Sequence, residues 1–257
     1  MEWVTNTRRL IEEMYALNNK KSIILVVHSM GSTFSYFFLN QMTVRWRNKY
    51  IRSWILLASA FGGNFEDMFT YYALAKDYPE PLLPVELDSW RTYSTTAFLM
   101  PRSTAFGKRV LVKSSDGEFR AGDYERFFDN LGFPHAYQQW KDTRHLYDAR
   151  NLTSPGNFSI YCLSGFGVPS VTGSVFHGPL NLSTPYTPLY GDGDGTVNAE
   201  SLRMCYRLGS GKRNFGIKEF ANTRHFPLIQ ETRTVSHIVG VVNSINFQVE
   251  TFTNEYV

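Results

Sequence analysis

No stretch of this 257-residue chain stays apolar long enough to cross a bilayer. Its longest runs, Ile23 to Val27 and Ile55 to Ala58, fall far short of the ~20 residues a spanning helix needs. Charge of one sign does not accumulate either: the formal net charge is +3, and the short basic groups are Lys20-Lys21, Arg45 to Lys49 and Lys212-Arg213. Without a basic stripe or a recognition motif, nucleic acid is set aside as a partner. Cysteine is scarce. Cys162 and Cys205 stand 43 residues apart with no Cys or His neighbour at ligand spacing, which excludes a metal site, while their even number permits one disulfide. The glycine-rich Gly191 to Gly195 lacks the G-K-[ST] ending of a phosphate-binding P-loop. There is no internal repeat or low-complexity segment, and no N-terminal stretch reads as a secretion signal. Residues 1–20 instead set Arg8, Arg9, Glu12 and Glu13 among Leu10, Ile11, Met14 and Leu17, the pattern of an amphipathic helix.

What is present points to a packed α/β protein. Hydrophobic residues make up 43%, aromatic residues 16% and charged residues 19%, a balance that supplies a large core and argues against disorder. Such folds run as single domains of roughly 200–250 residues. Three N-x-S/T acceptor sites, at Asn151, Asn157 and Asn181, fall within about thirty residues of turn-rich sequence and favour a glycosylated protein of the secretory pathway.

Local patterning predicts a helix over 8–18, a buried parallel strand over Ser22 to Val27, a helix from Gly31, and a second strand over Ile51 to Ser59. That is the right-handed strand–helix–strand unit of a parallel sheet. Between about 64 and 150 the rhythm is lost: Pro79, Pro81, Pro84 and Pro101 punctuate a segment of scattered aromatics. This reads as a cap or lid with its own short helices. Strand-like sequence returns at Phe158 to Leu163 and at Phe215 to Phe220, and a last helix is predicted over Glu231 to Asn246.

The strongest chemical signal is Val27-His28-Ser29-Met30-Gly31 between a strand and a helix. A serine hydroxyl is a weak nucleophile until a base takes its proton, and a sharp strand-to-helix turn holds it exposed. The helix N-terminus favours developing negative charge, and the amide of Met30 would be one oxyanion donor. Val27 stands where the usual G-x-S-x-G has its first glycine, and a β-branched residue there crowds the turn. An acid and a base are expected to follow the serine in that order, each on a loop after a later strand. Asp194 and His225 meet this description. Asp192 competes with Asp194, and either could cap the helix beginning near Thr196. His237 competes with His225 from mid-helix. His28 is expected to point to the other side of the turn, and His135, His145 and His177 have no supporting motif.

These residues, together with Leu10-Ile11-Glu12-Glu13-Met14-Tyr15, Lys49-Tyr50-Ile51-Arg52, Asp123-Tyr124-Glu125-Arg126-Phe127-Phe128, Leu131-Gly132-Phe133, Cys162-Leu163 and Gly191-Asp192-Gly193-Asp194-Gly195-Thr196-Val197-Asn198, give the chain its family likeness. It resembles the lecithin:cholesterol acyltransferase-like α/β-hydrolases, in particular the lysosomal phospholipase A/acyltransferase branch, through nearly its whole length. The family usually has alanine or glycine where Val27 stands, and Ala-Pro-Trp-Gly-Gly where this chain has Ser59-Ala60-Phe61-Gly62-Gly63.

The resemblance implies an α/β-hydrolase fold with a mostly parallel sheet and an inserted cap. Residues 1–63 and 151–257 would form the core, 64–150 the cap, and the first strands would belong to a segment before this one. It implies Ser29 as nucleophile, Met30 as oxyanion amide, Asp194 rather than Asp192 as acid, His225 as base, and a Cys162–Cys205 disulfide. It also implies two-step acyl transfer from a glycerophospholipid to water or to a lipid alcohol such as ceramide, without a metal or organic cofactor. Such a protein would work peripherally at a membrane or lipoprotein surface, in the lysosome or outside the cell. A sterol acceptor and a non-catalytic lipid- or protein-binding relative are the alternatives.

Overall fold

The computed structural model describes residues 2–78, 83–211 and 214–254; Pro79, Pro81 and the basic pair Lys212-Arg213 lie outside them. In chain order the regular elements begin with α1 (Glu2–Leu17), β1 (Ile23–His28), α2 (Gly31–Gln41), α3 (Val44–Tyr50) and β2 (Ile51–Leu57). Next come α4 (Phe65–Thr70), α5 (Pro84–Trp90), α6 (Ser94–Phe98), α7 (Ser103–Phe106), β3 (Val110–Ser114), β4 (Gly117–Arg120), α8 (Tyr124–Leu131) and α9 (Pro134–Thr143). The last are β5 (Ser159–Phe166), β6 (Ser170–Phe176), β7 (Tyr186–Gly191), α10 (Ala199–Leu202), β8 (Phe215–Ala221) and α11 (Thr232–Asn254).

Four strands form an all-parallel sheet in the order β1-β2-β5-β8. These are the four apolar runs read from the sequence. The inner strand β2 has Trp54, Ile55 and Leu56 at 0% exposure, as a strand covered on both faces should. The outer strands are wetter: Val26 on β1 and Ile217 on β8 are both about half exposed. Beyond β1, α1 buries only Ile11, so Leu10, Met14 and Leu17 add apolar surface on that side of the sheet.

Register aligns the carboxyl ends of these strands, because His28 pairs with Leu57 and Leu57 with Leu163. Immediately beyond three of them the chain turns through the left-handed region at non-glycine residues: Ser29 after β1 (φ 53), Ala58 after β2 (φ 49) and Asn222 after β8 (φ 53). Each turn is pinned to a neighbouring strand. The Ser29 amide donates to the Leu57 carbonyl, Ala58 to Leu163 and Asn222 to Phe166. Side chains needing such strained backbone are thus gathered at one edge, where open α/β sheets place their sites.

A second, mixed sheet runs β4-β3-β6-β7, with β3 and β6 parallel and both outer pairs antiparallel. Its strands come from both sides of residue 150. Around it lies a separate aromatic core that includes Phe65, Phe69, Tyr71, Tyr72, Phe119, Phe127, Phe128 and Phe176. Ring pairs such as Tyr71–Phe128, at 4.7 Å edge to face, give this layer its shape.

Cys162 on β5 is bonded to Cys205 in the 3₁₀ turn after α10. The bridge closes a loop with a sequence separation of 43 residues, which contains the second half of the mixed sheet and the loop carrying Asp194. Chain-entropy arguments give such a crosslink about 2–4 kcal/mol. Replacing both cysteines with alanine is therefore expected to lower the thermal midpoint by roughly 5–12 °C, read by circular dichroism. A shift below a degree would mean the crosslink contributes nothing.

Candidate active site

Ser29 sits between the last residue of β1 and the start of α2, in the left-handed conformation that lifts its hydroxyl out of the sheet edge. Its backbone carbonyl accepts from the Ser32 hydroxyl, which holds the first turn of α2 against it. Met30 is the N-cap of that helix, and its amide has no protein acceptor among the described residues. Val27 does not crowd the turn: even a Cβ added to Gly31 would lie 3.6 Å from the Val27 Cβ, an ordinary contact.

The serine hydroxyl lies 2.8 Å from Nε2 of His225, and Nδ1 of His225 lies 2.7 Å from Oδ2 of Asp194. The carboxylate fixes the tautomer: Nδ1–H donates to it, which leaves Nε2 to accept from the serine. Both partners are removed from water, His225 at 3% and Asp194 at 0% exposure. The His225 amide also donates to the Asp194 carbonyl at 2.8 Å, so backbone and side chain both tie the two loops together.

The acid loop is seated on the mixed sheet. Asp194 Oδ1 accepts from the amides of Thr196 and Val197, and the Gly195 amide donates to Ser170 Oγ at the start of β6. Asn198, fully buried, accepts from the Phe65 amide of α4 and donates to the Val171 carbonyl of β6. Asp192 faces elsewhere: it accepts from the Gly167 amide at 2.8 Å and lies 3.9 Å from Arg203. On the base side, Gly165 of β5 passes so close to the loop that a Cβ would fall on the Thr223 carbonyl. Arg233 of α11 donates to the Ala221 carbonyl and the Thr223 hydroxyl, bracing the loop from behind.

His28 corrects the sequence reading. Rather than pointing away, its ring lies 4.6 Å from that of His225, and its Nε2–H donates to the His225 carbonyl at 3.1 Å. Burial first, and then the neighbouring His225, hold its pKa below the usual histidine value. His237 of α11, the competing base, packs edge-on against Phe220 of β8, and His177 bonds the Thr187 hydroxyl on β7.

A cavity of about 170 Å³ opens against the His225 side of this array, lined in part by Glu66, Tyr78, Trp90, Thr196, Arg224 and Phe226. Apart from Thr196, these residues belong to no motif legible in the sequence. Glu66-Asp67 reads only as the acidic first turn of a helix whose N-cap, Asn64, accepts from the Asp67 amide. Yet Glu66 Oε2 is shielded from solvent and has no hydrogen-bond partner. Desolvation pushes its carboxyl up to about 7; the nearby Thr196 side chain and His225 pull the other way, and Asp194 adds to the rise.

A carboxyl raised in the fold contributes stability that is fully present below its unfolded pKa and is lost as pH climbs through the folded value. Glu66→Gln cannot ionise. It should leave the melting temperature little changed near pH 5 and raise it by roughly 2–6 °C at about pH 8, or ~1–2 kcal/mol after discounting for partial exposure. An equal shift at both values would break the link to ionisation.

Among the described residues, no three His, Cys, Asp or Glu side chains converge as a metal-ligand set.

A family model described as lecithin:cholesterol acyltransferase matches residues 1–147. Human lysosomal phospholipase A and acyltransferase is 27% identical over 238 residues, covering 91% of this chain and 56% of that protein. Phosphatidylcholine-sterol acyltransferase of Gallus gallus is 28% identical over 239 residues, with 91% and 57% covered. Lecithin-cholesterol acyltransferase-like 1 of Arabidopsis thaliana is 29% identical over 254 residues, with 96% and 56% covered. The chain thus spans a little over half the length of these relatives. Among solved structures, a chain of the Tle4-Tli4 complex superposes with a TM-score of 0.59 at 11% identity, covering 92% of this chain and 63% of that one. At that identity the likeness is one of fold.

Proposed function

The chain belongs to the lecithin:cholesterol acyltransferase family and has its α/β-hydrolase fold, and from that membership we propose that it is the catalytic part of a serine lipid acyl hydrolase and acyltransferase. The observation that carries this reading is the hydrogen-bonded series from Ser29 through His225 to Asp194, with Ser29 in strained backbone at the start of a helix.

In the proposed reaction the Ser29 oxygen attacks an ester carbonyl of a glycerophospholipid while its proton passes to Nε2 of His225. The new C–O bond places negative charge on the carbonyl oxygen, facing the Met30 amide and the N-terminus of α2. Asp194 stabilises the imidazolium. Collapse breaks the ester bond, and His225 gives its proton to the departing alkoxide. The acyl-serine is released by water, yielding a fatty acid, or by a lipid alcohol such as ceramide or a sterol, yielding a new ester. The aromatic layer over the sheet would serve as the cap that lines the acyl path and limits water.

Lysosomal or extracellular residence of the parent protein is part of the same proposal. It is supported by the disulfide and by acceptor asparagines at the surface: Asn151 and Asn157 are exposed and Asn181 is half-buried. No helix among the described residues is long and apolar enough to cross a membrane. Contact with lipid is proposed as peripheral.

The test is turnover of glycerophospholipid vesicles containing ceramide or cholesterol, following free fatty acid and the two acylated products by mass. The expected result is fatty acid release with one acylated acceptor in excess. A folded chain, alone and within a full-length form, that forms none of these products would favour the binding-protein alternative.

A further inference from the structure

His225 must deliver its proton to the departing alkoxide and take one from the incoming alcohol, so the cavity bordering it receives the alcohol half of each ester. That cavity holds one shielded acceptor without a donor, Glu66 Oε2, beside Tyr78 and Trp90, whose rings meet edge to face at 5.9 Å. An unsatisfied buried acceptor is costly until a ligand supplies a hydrogen bond. Aromatic faces next to a carboxylate favour a cationic or hydroxylated guest over an anionic one. Asp194 also borders the cavity, but its oxygens are already engaged, Oδ1 by the Thr196 and Val197 amides and Oδ2 by His225 Nδ1–H, so it offers a guest no free acceptor.

Arg224, also lining the cavity, carries the opposite charge, but its side chain is exposed at the mouth and has no carboxylate partner among the described residues. A charge in water is screened within a Debye length, whereas one shielded by protein acts through a lower dielectric. Glu66 should therefore dominate the field inside the cavity, and Arg224 should act at its entrance.

We propose that Glu66 is a specificity-determining residue that selects the alcohol half of the substrate by charge, favouring cationic groups and turning away anionic ones. This rests on Ser29 and His225 being nucleophile and base. It adds a discrimination that the three assigned catalytic residues do not provide.

Fluorophosphonates sharing one long alkyl arm and differing in a short alkoxy arm test it. The short arm ends in trimethylammonium, methyl or carboxylate, and second-order labelling of the full chain is measured at about pH 8, where Glu66 is mostly ionised. The cationic probe should outpace the anionic one about tenfold or more, a ratio falling as salt is added. Glu66→Gln should lower the ratio markedly, and Arg224→Gln, at the exposed mouth, should raise it. A wild-type ratio near one overturns the inference whether or not either variant folds, as does a ratio unchanged in folded Glu66→Gln. Labelling by none of the three probes would overturn the nucleophile assignment, and the inference with it, whereas equal labelling by all three overturns the inference alone.

Discussion

Ser29→Ala is expected to cut ester turnover by roughly 10⁵–10⁶-fold and to abolish fluorophosphonate labelling, with the fold retained. Alanine carries the same Cβ penalty at φ 53 as serine does, so the backbone strain is unchanged. The hydroxyl makes a hydrogen bond to His225 Nε2 at 2.8 Å, and its loss leaves a partly exposed site that water can enter. The melting temperature should move by no more than about 3 °C, and removal of a strained functional group can even stabilise. Fatty acid release from vesicles and a thermal melt on the same sample check both halves. More than a percent of wild-type turnover in a folded variant would mean that another group supplies the nucleophile.

Asp194→Asn is expected to lower kcat by about 10⁴-fold through a change of tautomer rather than of structure. One carboxylate oxygen already accepts from two backbone amides, Thr196 and Val197, so in the variant the side-chain carbonyl should keep that position. The amide nitrogen then faces His225 Nδ1 across the 2.7 Å gap now occupied by a charge-assisted bond. The imidazole must turn an unprotonated Nδ1 toward it. Its proton moves to Nε2, the atom that should accept from Ser29, and the serine loses its base. Because the block is a missing acceptor, phosphonate labelling should slow by a similar factor while vesicle binding stays intact. A tenfold effect or less would place Asp194 outside the chemistry and reopen the position to Asp192.

The parallel sheet was legible in the sequence because its strands are short, apolar and bounded by charged or small residues. Ile23 to Val27 and Ile51 to Leu57 could hardly be read otherwise. The mixed sheet was not. β6 carries Gly173 between Thr172 and Ser174, β7 contains Pro188, and β3 and β4 form a hairpin closed at Gly117. None shows clean alternation, since what holds them is a core assembled from aromatics far apart in the chain, Phe65 to Phe176.

At the candidate site, the expected order serine, acid, base came from the chain order of this fold, which sets each group on a loop after a strand. Choosing Asp194 over Asp192 did not, because two residues in one loop differ only in what they face, Val197 and His225 in one case and Gly167 in the other. His28 was misjudged for a related reason. Alternation along a strand predicts that neighbours point apart, but the left-handed Ser29 breaks the alternation at that bond and lets both side chains approach His225.

The seating of the acid loop on Ser170 and Val171 has a consequence for modularity. Ser29 and His225 hang from one sheet, while Asp194 is anchored to the other through Gly195 and Asn198. The aromatic layer is therefore not a detachable lid that could be exchanged between relatives as a cassette. A graft that replaced β6 would take the footing from Asp194, and a chimera would need its acid loop and second sheet transplanted as one piece.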